Sequence, residues 1–289
     1  MALRKIEGVV AKKCRDRIAG QETKEGRDGI TVNRTKKKMR ITNEVPGNWR
    51  DLQDKVCKYL NQAGYHAEVA KTIELVRGKV EVDVFATSDD ELLKQFVCEC
   101  KYWETPVPQE KIHAFRTVVH DSGSMLGIFI SKNGYQKGAI EAAYCSNVLL
   151  KDWQGFIDMI AVKWLKNRFN ELMKIASPLG TYTDILDVPV EILSEEDKIL
   201  NENLFNRYLP PYMIGRSLQM GMHNEMYVDC DGTRFEDFNS LFNYLEDVYR
   251  EGIASFNELF SKYKDANLNL DNDGYVIFES HICDYLTKE

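Results

Sequence analysis

The stretch from Lys79 to Trp103, KVEVDVFATSDDELLKQFVCECKYW, constrains the fold of this chain more than any other. It is predicted to form two neighbouring β-strands. Successive side chains of a strand point to opposite faces. In VEVDV that places Val80, Val82 and Val84 on one face and Glu81 and Asp83 on the other. In FVCECK it places Phe96, Cys98 and Cys100 on one face and Val97, Glu99 and Lys101 on the other. If the strands pair, Asp83, Glu99 and Lys101 converge on one polar spot. Two carboxylates beside an ammonium suit a divalent cation and an activated water. They suit a solvated hairpin face equally well, and these two segments alone leave both readings open.

The flanking pattern supplies the context. NWRDLQDKVCKYLNQAGY reads as an amphipathic helix, with Trp49, Leu52, Val56, Tyr59 and Leu60 inward and Gly64 at its C-terminus. HAEVAKTIELVRG gives a strand or two. Beyond Pro106 and Pro108, Gln109 to His120 is predicted to be a helix with Ile112, Phe115, Val118 and Val119 inward. GIFIS (Gly127–Ser131) is an apolar run suited to a buried strand, Gln136–Tyr144 a helix, Val148–Leu150 another buried strand, and a further helix starts at Gln154. The order α, several β, α, β, α, β, α is that of a mixed central sheet flanked by helices, an α/β fold.

From about Val162 the pattern becomes mainly helical and the charge acidic. Three parts are expected: a basic N-terminal arm over residues 1–45, an α/β domain over 46–165, and an acidic, mostly helical C-terminal domain over 166–289. Residues 1–45 carry 13 Lys/Arg against 6 Asp/Glu, and residues 161–289 carry 12 against 23. The arm's densest cluster is Arg34, Lys36, Lys37, Lys38 and Arg40, and Lys and Arg neutralise phosphate without reading sequence. The C-terminal domain holds two similar units, around Asp231-Gly232 and Asp273-Gly274, each read as a hairpin turn, short strand and helix. Neither makes an EF-hand: counting from Gly274 the last loop position is Ser280, and from Gly232 it is Phe238, where a bidentate Glu is needed. Seven cysteines without a CxxC pair point to a reducing, cytoplasmic setting, and no apolar run approaches the roughly 20 residues of a membrane helix.

The ordered pieces LQDKVCKYLNQAGY, VEVDVF, CECK and GIFISKNGYQKGAIEAA together resemble the catalytic domain of Mrr-type restriction endonucleases, in the PD-(D/E)xK nuclease superfamily. In the last block Ser131, Gly134, Tyr135, Lys137, Gly138, Ala139 and Ala143 follow that family's pattern. The resemblance covers Trp49 to about Asp152. It implies a restriction-endonuclease-like core and a metal-dependent DNA endonuclease that hydrolyses phosphodiesters, acting in restriction or anti-phage defence. It implies Asp83, Glu99 and Lys101 as catalytic residues, with Asp83 and Glu99 holding Mg²⁺ (or Mn²⁺) and Lys101 orienting water or compensating charge. The family usually places a further Glu early in the first helix. Here Gln53 stands there, so Gln53 itself, Asp54 after a register shift, or Glu81 from the face of Asp83 completes the site, or else activity is weakened. The alternative function is a nuclease-fold module that binds DNA or protein.

Further DNA contacts are expected from Gln109 at its helix start and from Lys132 and Lys137 around the glycine-rich loop, beside the basic arm. DNA is the expected partner, with no membrane. The acidic C-terminal domain is expected to make a protein contact or to self-associate.

Overall fold

The computed structural model describes residues 39–184, 186–222, 228–230, 232–264, 266, 268, 270 and 281–286. All of them fall within the compact unit Lys37–Glu289. The expected DNA contacts Arg34, Lys36, Lys37 and Lys38, and the Asp273-Gly274 turn, lie outside the described residues.

Helix α1 (Trp49–Gln62) begins where Asn48 accepts the amides of Arg50 and Asp51, a cap that contributes about 1 kcal/mol. It ends before Gly64, whose φ of +81° is costly for any side chain. Leu52, Val56, Tyr59 and Leu60 are buried as their spacing requires. Trp49 is not: it is 56% exposed under the Arg50 guanidinium, because the first helical residue projects beyond the sheet that buries the rest.

After α1 come β1 (His66–Leu75), one strand where the pattern allowed two, and β2 (Gly78–Thr87), joined by a tight hairpin. Then follow β3 (Gln95–Lys101), α2 (Gln109–Asp121), β4 (Leu126–Ser131), α3 (Lys137–Ala143) and β5 (Val148–Lys151). The sheet order is β1-β2-β3-β4-β5. β1, β2 and β3 pair antiparallel, and β3, β4 and β5 pair parallel through the helical crossovers α2 and α3.

Each face of the sheet has its own apolar cluster. Cys98, Cys100, Ile128 and Ile130 pack toward α1 and α4 (Trp153–Tyr182). Val97 and Phe129 pack toward α2 and α3 with Ile112, Phe115, Val119 and Ala139. Gly127 on β4 is where α2 comes closest: a Cβ there would lie 2.5 Å from Val119 Cγ2 and 2.8 Å from Phe115 Cε1. The alternation expected of β2 breaks at Asp83. Val82 belongs to the cluster under α2 and Val84 to the one under α1. Opposite Asp83 the β1–β2 ladder skips Ala70, whose φ is +51°. The register is the same on both sides of this gap, so no residue is inserted: the left-handed Ala70 interrupts the ladder opposite Asp83 without shifting it.

The C-terminal part is α5 (Glu195–Gln219), a β6–β7 hairpin (Val228–Cys230, Thr233–Phe235) around Gly232 and α6 (Phe238–Phe260). Its core is continuous with the cluster beneath α1. Trp164 of α4 bonds Gln62 of α1 at 2.9 Å and stacks on Phe242 of α6. Residues 165 and 166 therefore sit inside α4, a helix shared by sheet and C-terminal helices. Among the described residues no helix is long and apolar enough to cross a membrane.

Candidate active site

Asp83 stands at a fork. The β2–β3 ladder runs from Thr87↔Gln95 to Val84↔Cys98, and there the two strands part. One step further, Asp83 Oδ2 accepts the Cys100 amide at 2.7 Å, so a side chain takes the place of the next ladder partner. The same oxygen lies 3.3 Å from Lys101 Nζ. Lys101 Nζ also pairs with Glu99 Oε1 and lies 3.4 Å from the Cys100 carbonyl oxygen. Three oxygens thus surround one ammonium. Cys98 and Cys100 lie on the opposite face of β3, buried against the α1 side.

Only about a fifth to a quarter of each of the three side chains meets water. Burial, and then the neighbouring Asp83 charge, push the Glu99 carboxyl above its usual range, against the pull of Lys101 and Lys111. Burial alone would pull the Lys101 ammonium down. The Glu99 and Asp83 charges outweigh it and hold Lys101 above its usual value, so it is a cation at neutral pH. A like-charged carboxylate pair of this kind is eased by bound positive charge.

The donor chemistry fits a divalent ion. Asp83 Oδ2, Glu99 Oε1 and the Cys100 carbonyl oxygen are hard ligands that already face one positive charge, the type that Mg²⁺ and Mn²⁺ take. Among the described residues, no three His, Cys, Asp or Glu side chains gather as a ready metal cluster. Of the residues expected to complete the site, Glu81 lines the same cleft as Glu99 and Lys101. Gln53 is half-buried and Asp54 exposed on α1, which packs on the other face of the sheet. No hydrogen bond or ion pair joins either to the triplet.

The other expected contacts have occupations of their own. Lys132 pairs with Glu104 at 2.5 Å and lies over the Tyr102 ring. Lys137 is 92% exposed and 3.8 Å from Glu141. Gln109 bonds His113 at 3.0 Å and crosses over Gly138, where a Cβ would lie 2.7 Å from Gln109 Oε1. Arg40 bonds Gln154 and bridges to Asp237 at the start of α6. In the GIFISKNGYQKGAIEAA block, Tyr135 Oη lies 2.6 Å from the Phe129 carbonyl and 2.8 Å from that of Lys151, its single proton serving one at a time. Ser131 Oγ donates to the Gly134 carbonyl, and Val107 takes both its partners from this loop. These bonds of Ser131, Tyr135 and Val107 fix the loop beyond β4.

The residue that sequence reasoning passed over is Lys111. It lines the cleft with Glu99 and Lys101, and its charge acts on Glu99. A signal existed: Lys111, Ala114, Phe115 and Val118 recur at i, i+3, i+4 and i+7, one stripe of α2.

Residues 47–160 match the Mrr catalytic-domain family, described as a restriction endonuclease. The matched span contains Asp83, Glu99 and Lys101, and makes this segment a nuclease domain of the restriction-endonuclease type. A crystal structure of a protein of unknown function, AF1548, aligns over 74% of this chain and 100% of its own at 14% identity, with a TM-score of 0.34, and carries no argument here. No curated protein matches the chain.

Proposed function

Taking the Mrr-type domain of residues 47–160 as the premise, we propose that the chain is a Mg²⁺- or Mn²⁺-dependent DNA endonuclease of restriction or anti-phage defence, working in the cytoplasm. The observation that carries this reading is the fork: the parting of β2 and β3 aims Asp83 and Glu99 at one point and holds Lys101 between them. When bound there, the metal polarises the scissile phosphate and lowers the pKa of its water. The Cys100 amide fixes the Asp83 carboxylate, so its free oxygen has a set direction. Glu99, raised by burial, gains most from a cation beside it. Lys101 keeps its proton and supplies positive charge where negative charge develops on the phosphate.

Plasmid DNA incubated with Mg²⁺ or Mn²⁺ tests this. Cleavage is expected, with a loss of at least about a hundredfold in Asp83→Ala and Lys101→Ala. Cleavage that persists in both variants would remove the assignment. A second reading is a module that binds DNA or protein without turnover. It is favoured by Gln53 at the family's acidic position and by the absence, among the described residues, of a three-ligand cluster. DNA binding without cleavage in either metal would select it. We also propose that the acidic C-terminal helices contact a protein partner or a second copy, because an excess of Asp and Glu repels phosphate.

A further inference from the structure

Where β2 and β3 part, α2 overhangs the gap and leaves a cleft of about 340 Å³, at the lower end of the range that encloses small ligands. Its apolar surface comes from Val80 on β2 and from Ala114 and Val118 on α2, while Val82 and Phe129 lie buried at its floor, 2% and 1% exposed. Charge is confined to a few points, Glu81 and Glu99 from the strands and Lys101 and Lys111 as cations. Neither Lys132, which pairs with Glu104, nor the exposed Lys137 lines the cleft. Lys111 has no carboxylate within 4.0 Å among the described residues, and its ammonium lies 6.0 Å from the centre of the Trp103 ring. A cleft with an apolar patch on the α2 side, an unpaired cation beside it and Glu99 and Lys101 in its lining matches the two halves of a nucleotide: an apolar-faced planar base and an anionic phosphate.

Resting on the nuclease reading above, we propose that this cleft is a nucleotide subsite, which takes one unpaired nucleotide beside the scissile phosphate, with its base against Ala114 and Val118 and an adjoining phosphate on Lys111. A base stacked and paired within a duplex cannot enter a slot between a strand and a helix. The preferred substrate therefore presents a nucleotide already out of its stack, at a mismatch, a bulge, a frayed end or a single-stranded gap, where extrusion costs least, and a fully paired duplex is a poorer one. The subsite explains why α2 turns a small residue, Ala114, toward the cleft between Lys111 and Val118.

The test is binding of short labelled duplexes to the full chain in Ca²⁺, read by fluorescence anisotropy. One duplex is fully paired, one has a single unpaired nucleotide, and one has an abasic residue at that position. The wild type is expected to bind the unpaired-nucleotide duplex about tenfold tighter than the abasic one, the scale of one base contact. Ala114→Phe fills the slot and should erase that preference. Lys111→Gln should weaken all three duplexes and lower the log–log salt slope by about 0.7–0.9, the loss of one phosphate contact. Equal wild-type affinity for the unpaired and abasic duplexes would overturn the proposal, as would a preference that survives Ala114→Phe or an unchanged salt slope in Lys111→Gln. If near-UV circular dichroism shows Ala114→Phe misfolded, Ala114→Leu is read in its place by the same criteria. The binding readout needs no cleavage. Failure of the nuclease reading appears as an unpaired-nucleotide duplex left intact in Mg²⁺ and Mn²⁺, and failure of the subsite as a lost base preference.

Discussion

Replacing Lys101 by Met separates the two parts that the ammonium plays. It removes the positive charge held among Asp83 Oδ2, Glu99 Oε1 and the Cys100 carbonyl, and keeps most of the side-chain volume. Two carboxylates that are 21% and 25% exposed are then left facing each other. Removing one partner of a fully buried pair costs about 3–5 kcal/mol, and with water reaching a fifth of each side chain the expected cost is about 2 kcal/mol. For a chain of 289 residues that lowers the thermal midpoint by about 3 °C. The same change removes the competitor for the oxygens that a divalent ion needs. Mg²⁺ or Ca²⁺ is therefore expected to bind Lys101→Met more tightly than wild type while cleavage is lost. At a hundredfold excess over Kd the ion returns about 2.7 kcal/mol, or about 4 °C. Differential scanning calorimetry with and without the ion, beside the plasmid assay, measures both. A variant whose midpoint falls but does not respond to divalent ions refutes the convergence argument. So does one that still cleaves at the wild-type rate.

Gly127→Ala forces a Cβ into Val119 and Phe115, and is expected to cost about 1–3 kcal/mol and to lower cleavage by displacing α2; an unchanged urea midpoint would contradict the close packing. Ala70→Gly relieves the left-handed residue opposite Asp83 and should raise the unfolding free energy read by urea titration by about 0.5–1 kcal/mol, whereas Ala70→Val should lower it; equal midpoints would show that the backbone is unstrained there. In the C-terminal part, burial works to raise the Glu246 carboxyl, but bonds from Arg250 and Arg168 outweigh it and hold it below its usual range. Its unfolded form then binds protons more readily, so its contribution is present above about pH 4.5 and is lost as pH falls through the folded pKa. Glu246→Gln should lower the midpoint at pH 7 and flatten the acid limb, since it leaves Arg168, whose side chain is 10% exposed, without its charge partner; an acid limb identical to wild type would refute this.

Period-two alternation was enough to place Cys98 and Cys100 in the core and Glu99 and Lys101 together on the other face of β3. Helical spacing was enough for α1 and α2, and the apolar runs for β4 and β5, since a buried strand in a parallel ladder is apolar on both faces. Where the chain departs from a repeat, the sequence was silent. Nothing in VEVDV announces that the ladder is interrupted at Asp83, because the left-handed Ala70 lies on the strand beside it. Nothing in SKNGYQKG announces that Lys132 pairs with Glu104, because that partner comes from another segment of chain. Lys111 went unnoticed because a lysine on a helix stripe means nothing until the helix is seen to cover a gap.

The residues' own order thus determined the mixed α/β class, the strand pair and the three side chains that share a face, because alternation and periodicity are local properties of the backbone. The tertiary structure decided the rest. It parts β2 from β3 one residue before Asp83, lends the Cys100 amide to that carboxylate, and lays α2 across the opening with Lys111 at its edge. A spot of charge becomes a candidate catalytic cleft only when separate segments close around it, and that closure depends on contacts that no single stretch of sequence contains.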